Sequence, residues 1–109
     1  MDPVGHRYRF TAPLWIWDAS GEGSWHFVTV PEDAADEIKA ITEGGPRRGF
    51  GSVRVEATLG PSTWRTSIFP GEGAYVLPVK KAVRTKAEVE EGDDVTVEIT
   101  LLLDEPQLA

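Results

Sequence analysis

The chain has no cysteine among its 109 residues, which excludes disulfides, thiolate catalysis and cysteine-ligated zinc or iron–sulfur centres. No stretch approaches the roughly 20 apolar residues that a membrane-spanning helix requires. The first residues contain no apolar core of the kind that a signal peptide carries. Since the absence of disulfides also suits a reducing compartment, we expect a cytoplasmic protein.

Several motifs that bind nucleotides or metals are missing as well. The sequence contains no Walker-type phosphate loop, dinucleotide fingerprint or EF-hand loop. Its two histidines, His6 and His26, lie far apart and have no carboxylate motif, and we expect His26 to be a half-exposed strand residue. No serine has the Gly-x-Ser-x-Gly setting of a hydrolase nucleophile. We therefore expect no metal and no other cofactor, and an enzyme is the least favoured class of function.

Basic residues are outnumbered, 11 against 18 acidic ones, for a formal net charge of −7. This balance opposes non-specific binding to phosphate backbones or anionic lipid, so nucleic acid is an unfavoured partner and no membrane contact is expected. The length fits one domain over residues 1–109. Eleven glycines and eight prolines indicate many turns, which favours short strands over long helices.

Alternating apolar residues predict six strands. They lie at about 7–17, 25–30, 50–59, 63–69, 74–77 and 94–103. Pro13 cannot donate to a ladder, so it predicts an edge position or a bulge in the first strand. Two short helices are predicted to open at Pro31 and Pro78, because proline suits the first helical turn. The first helix presents one apolar face, made of Ala34, Ile38 and Ile41.

The order strand, strand, proline, helix, glycine-rich stop, strand occurs twice, at about 7–59 and 63–103. A polar tail follows from residue 104. Residue identity between the two copies is low, so coincidence in a six-stranded protein is the alternative. If the repeat is real, it predicts a closed or nearly closed six-stranded barrel. Closure removes exposed strand edges, so the chain is expected as a monomer or a weak dimer.

Residues 75–84 and 91–97 follow the order strand, proline, helix, arginine, Gly-Asp, strand. This pattern resembles swapped-hairpin proteins of the AbrB and MazE kind, in which two chains intertwine into one DNA-binding barrel. A single chain carrying both halves is similar to a fused version of such a dimer.

Most of the chain resembles an uncharacterised, mainly bacterial family, the domain-of-unknown-function family nineteen-oh-five. The matching segments are residues 10–14, 25–31, 49–53, 66–70, 77–84 and 92–97. The resemblance implies a mainly β fold, a six-stranded double-split β-barrel with two short helices capping its ends, and no established activity. The chain departs from the family at residues 85–89, where family members tend to have an apolar, leucine-like segment.

The most concentrated positive charge is a basic cluster, made of Lys80, Lys81, Arg84 and Lys86. Lys80 and Arg84 are four residues apart, so on a helix they share a face and could clamp an anionic group. The alternative is a solvated helix face, neutralised by the acidic residues at 88–94.

Two groups of aromatic residues are further candidates. Trp64 and Ser67 lie on one strand and point to opposite sides, which suggests an aromatic wall and a hydroxyl at a barrel mouth. The alternative is a packing tryptophan and a serine that caps the next turn. Trp15, Trp17 and Trp25 belong to the first hairpin and could form an exposed patch for a ligand or partner, unless the strand is covered on both sides.

These candidates favour a small binding module for an anionic ligand or a protein partner. Its expected ligand-binding residues are Lys80, Arg84, Trp64, Ser67 and Trp25. The alternative is a DNA-binding regulator of the swapped-hairpin barrel type, which the net charge of −7 opposes.

Overall fold

The computed structural model describes residues 6–18, 24–43, 51–71 and 74–102. Its elements are β1 (Arg7–Asp18), β2 (Ser24–Val30), α1 (Glu32–Glu43), β3 (Val53–Leu59), β4 (Ser62–Pro70), β5 (Tyr75–Pro78), α2 (Lys81–Ala87) and β6 (Asp94–Leu101). The strands close into one barrel in the order β1-β2-β5-β4-β3-β6, with every pair antiparallel. This confirms the predicted six-stranded barrel with two short helices. Neither helix of the described chain is long and apolar enough to cross a membrane.

The barrel interior is filled by residues of one parity from each strand. In β3 and β6 the alternation is complete, and the buried residues are Val53, Val55, Ala57, Leu59, Val95, Val97, Ile99 and Leu101. Leu14, Val28, Ile68 and Leu77 join them from the other four strands. Burial of each such aliphatic side chain contributes about 1.5–3 kcal/mol, so this interior is the main source of stability.

β1 and β4 each change partner along their length. β1 pairs with β6 over residues 7–13 and with β2 over residues 14–18. β4 pairs with β3 over residues 62–68 and with β5 only at residues 69 and 70. The cyclic strand order is therefore unchanged when the first three strands are exchanged with the last three. The proposed repeat boundaries themselves stay a prediction.

Pro13 occupies the point at which β1 changes partner. It is paired with Asp94 at the end of the β1–β6 ladder, and the next bond is donated by Leu14 N to Asp93 O at 2.9 Å. Of the two predicted settings, the edge position is wrong, because a closed barrel has no edge strand, and the bulge stays a prediction. Proline fits here because it lies where β1 stops pairing with β6 and before it pairs with β2 from Leu14 onward.

Helix α1 begins one residue after Pro31, whose carbonyl oxygen accepts the first helical bond from Ala35 N at 2.8 Å. Ile38 is fully buried, and Ala34 and Ile41 of the predicted face are partly buried. The Tyr8 hydroxyl donates to Glu37 Oε1 at 2.8 Å and so ties the helix to β1. Burial and this carboxylate raise the pKa of Tyr8 to about 12.

Helix α2 begins at Lys81, so the predicted start at Pro78 is wrong. Pro78 is the last residue of β5, where it is paired with Phe27, and Val79 N donates to His26 O at 2.9 Å. Pairing with β2 thus keeps the chain extended past the proline. Of the helix residues, Val83 is buried and Ala82 is exposed.

Some predictions fall outside the described residues. These are the glycine–proline stop at 44–46, most of the turn at 18–23, part of the turn at 70–73, and the tail from 104. The last strand ends at Leu101, two residues before the predicted end.

Candidate functional site

A cleft of about 480 Å³ lies beside the end of β5. β5 has only four residues, and it pairs with β2 through Pro78 but with β4 only at its other end. The first halves of β2 and β4 therefore diverge, and the start of α2 lies next to the gap. The cleft is a direct consequence of the split between these strands.

The described residues that line the cleft come from three strands, helix α2 and the linker between β5 and α2. They are Trp25 and His26 of β2, Trp64, Arg65 and Thr66 of β4, Pro78 of β5, Val79 and Lys80 of the linker, and Lys81 and Arg84 of α2. The structure thus brings together four of the five residues proposed from the sequence. The volume lies in the range of sites that bind small molecules, about 300–1,000 Å³.

The cleft is cationic in an acidic protein. Of the chain's 11 basic residues, four line it, and none of its described lining residues is acidic. Lys80, Lys81 and Arg65 are exposed, while Arg84 is half-buried. Like charges in one concave site repel each other and raise the local potential, so the site favours an anion.

The start of α2 fixes the relative positions of Lys80 and Arg84. Lys80 is the residue before the helix, and its carbonyl oxygen accepts a bond from Arg84 N at 3.1 Å. The predicted four-residue spacing is therefore realised as a helical hydrogen bond, although Lys80 itself is extended. Arg84 Nε donates to Val79 O at 3.3 Å, which orients the guanidinium group. Lys86 lies outside the cleft, in a neighbouring depression of about 290 Å³ that shares Trp64 and Lys80.

His26 lies on the inner wall of the cleft, and sequence reasoning did not select it as a site residue. Its Nδ1 is buried and has no hydrogen-bond partner among the described residues. Burial lowers the pKa of His26 below the ordinary 6.5, the charge of Arg84 lowers it further, and Glu91 acts in the opposite direction. The imidazole thus keeps a buried nitrogen without a hydrogen-bond partner among the described residues, which costs about 1–3 kcal/mol. The signal was present, because His26 shares strand parity with the buried Val28 and Val30.

An aromatic row runs along the outer face of the first hairpin and ends at the cleft. Trp15 and Phe27 lie with ring centroids 5.1 Å apart, and Phe27 stacks on Trp25 at 6.5 Å with an interplanar angle of 11°. Trp15 Nε1 donates to Thr29 Oγ1 at 2.9 Å, which fixes the far end of the row. Trp17 and Trp25 are 55% and 56% exposed and face each other across the two strands. The exposed aromatic patch is thus present, and Trp25 alone of this row lines the cleft.

The two β4 candidates lie in different environments. Trp64 is partly buried, packs against the core and forms part of the cleft wall. Ser67 is only 8% exposed and is not among the lining residues. It lies on the opposite strand parity from Trp64, where it pairs with Arg54 of β3. The structure therefore does not bring Ser67 to the site.

No group of three or more histidine, aspartate or glutamate side chains suited to a metal ion occurs in the part of the chain that the structure describes. The described residues that line the cleft supply positive charge and aromatic surface.

Comparison with protein families matches residues 10–99 to the model for a domain of unknown function, DUF1905. The chain belongs to the DUF1905 family. The matched region runs from within β1 to within β6 and contains every described lining residue of the cleft. A comparison with curated proteins finds no match. DUF1905 carries no assigned activity, so the function has to be argued from the cleft.

Proposed function

We propose that this DUF1905 chain is a binding module for a small anionic ligand, which it holds in the cleft between β2, β4 and α2. The observation that carries the proposal is the convergence of Arg65, Lys80, Lys81 and Arg84 on one concave site in a chain of net charge −7. Lysine and arginine side chains make charge-assisted hydrogen bonds to phosphate and carboxylate groups.

The fold supports this proposal by orienting the Arg84 guanidinium group and by fixing the backbone of Lys80. Arg84 is anchored through its Nε and its backbone N–H, and Lys80 directly precedes a helix whose Val83 is buried in the core. A site that is already positioned loses less entropy when it binds a ligand. Surface lysines on a mobile loop would lack this advantage.

The test compares two charge-matched double variants by thermal unfolding with added inorganic phosphate, sulfate or citrate. Lys80→Gln with Arg84→Gln changes two cleft residues. Lys39→Gln with Arg9→Gln changes two exposed basic residues elsewhere, on α1 and β1. Both variants move the formal net charge from −7 to −9, since each loses two positive charges.

We expect at least one of these anions to raise the Tm of the unmodified chain and of the control. At a tenfold excess over Kd the gain is about 1.4 kcal/mol, or roughly 6 °C for a domain of this size. The cleft variant should bind at least roughly tenfold more weakly, because each charge-assisted bond contributes about 1.5–3 kcal/mol. Equal shifts in both variants, or no shift with any anion, would contradict the proposal.

We also propose that the protein is bacterial, cytoplasmic and monomeric. The closed barrel supports the monomer, since it leaves no strand edge for a second copy to extend. The alternative of a DNA-binding regulator, based on the likeness to AbrB and MazE, stays a prediction. Retention on duplex DNA at low salt, lost in the cleft variant and kept in the control, would favour it.

A further inference from the structure

The cleft joins two features that the charge alone does not explain. One wall is Trp25, whose ring is more than half exposed although the chain has a closed barrel in which to bury aromatic residues. The other is the half-buried Trp64 across the gap. A bare anion would use the basic side chains and leave both tryptophans unused.

Trp25 is the last ring of the aromatic row on the first hairpin. Phe27 stacks on it at 6.5 Å and 11°, and Phe27 in turn contacts Trp15, whose indole nitrogen is bonded to Thr29. A fixed ring presents its exposed surface to a ligand at little further entropic cost. Exposed, preorganised tryptophan surfaces are the platforms on which flat rings stack.

We infer, building on the proposed function, that the ligand of the cleft carries a flat aromatic or heteroaromatic ring beside its anionic group. The ring stacks on Trp25, and the anionic group contacts Lys80 and Arg84. An aryl phosphate or a mononucleotide has this chemistry, and a cleft of about 480 Å³ suits a molecule of that size.

The test uses two probes that share an anion and differ in the ring, adenosine monophosphate and ribose 5-phosphate. Their Kd values are measured by calorimetry at one fixed salt concentration, for the unmodified chain and two variants. Trp25→Leu removes the platform. Trp17→Leu is the matched control, because Trp17 is equally exposed and directly opposite but does not line the cleft.

We expect the unmodified chain and Trp17→Leu to bind the ring-bearing probe roughly 5- to 150-fold more tightly, the range of a single stacked base. In Trp25→Leu the preference should fall towards unity while the affinity for ribose 5-phosphate is kept. If Trp25→Leu fails to fold, proton NMR of the unmodified complex gives a second reading, since stacking on an indole shifts the ring protons of the ligand upfield.

Equal affinity for the two probes, or no upfield shift, would contradict the inference that the ligand carries a ring stacked on Trp25. The proposed anion site would be unaffected by that result. If neither probe nor inorganic phosphate binds, the proposed function itself fails. Much tighter binding of a short single-stranded oligoadenylate than of the mononucleotide would overturn the small-ligand class in favour of a nucleic-acid strand.

Discussion

Gly60 offers the sharpest test of how α2, and with it the cleft, is held against the barrel. It is the first residue of the two-residue turn between β3 and β4, before Pro61, and its φ is +58°. A Cβ atom added at this position would lie 3.3 Å from Ala87 Cβ, at the end of α2. The turn and the helix are therefore in close contact.

The effect of Gly60→Ala has two parts. The left-handed conformation costs an alanine about 1–2 kcal/mol. The 3.3 Å contact adds a smaller cost, because Ala87 has to move by a few tenths of an ångström. Gly92→Ala is the control, since Gly92 also has a positive φ, +95°, but nothing lies within 4 Å of its added Cβ. Gly92→Ala changes backbone strain without changing the helix contact.

Urea unfolding followed by tryptophan fluorescence gives the free energy of each variant. We expect Gly60→Ala to lose about 1–3 kcal/mol and to couple to Ala87→Gly in a double-mutant cycle by about 0.5 kcal/mol or more. The anion affinity of the cleft should fall in Gly60→Ala, because displacing α2 displaces Arg84. Zero coupling to Ala87, or an unchanged or higher stability of Gly60→Ala, would refute this reasoning.

Two further predictions concern titratable groups. Tyr8→Phe should lose about 1 kcal/mol at neutral pH, as expected for a partly exposed bond to a carboxylate. In the unmodified chain this contribution to stability is present below pH 10 and is lost as pH rises towards the Tyr8 pKa of about 12. The ionisation of Tyr8, measured as phenolate absorbance near pH 12, should be absent in Tyr8→Phe. Arg84→Gln should raise the His26 pKa, measured by NMR, because the Arg84 charge helps to lower it. Because the His26 pKa of the folded chain lies below 6.5, the free energy of unfolding falls as pH drops from 6.5 towards that lower pKa. Arg84→Gln should show a smaller fall. An unchanged His26 pKa in this variant would contradict the influence of the Arg84 charge on His26.

The strands could be predicted because burial in a barrel follows strand parity. Val95, Val97, Ile99 and Leu101 alternate in the sequence and are all buried. The start of α2 could not be predicted, because it depends on the bond from Val79 to His26 O, a partner more than 50 residues away in the chain. The long-range pairing of β5 with β2 overrides the local tendency of Pro78 to begin a helix.

The candidate site, like the fold, could be predicted from the sequence only in part. Basic and aromatic side chains identified Lys80, Arg84, Trp64 and Trp25, but only the early end of β5 places them around one cleft. Ser67 was selected for its hydroxyl, and its parity opposite to Trp64 removes it from the site. His26 could not be selected from the sequence, because only the fold places this inward-facing histidine at the cleft and near Arg84.

The measurement that tests the central claim most directly is a two-dimensional amide NMR titration of the unmodified chain with inorganic phosphate and adenosine monophosphate. The account predicts saturable shifts concentrated at residues 25–26, 64–66 and 78–84, with small changes in α1 and in β6. Shifts spread evenly over the surface, or centred on the depression lined by Arg9 and Glu98, would contradict the claim that this cleft is the anion site.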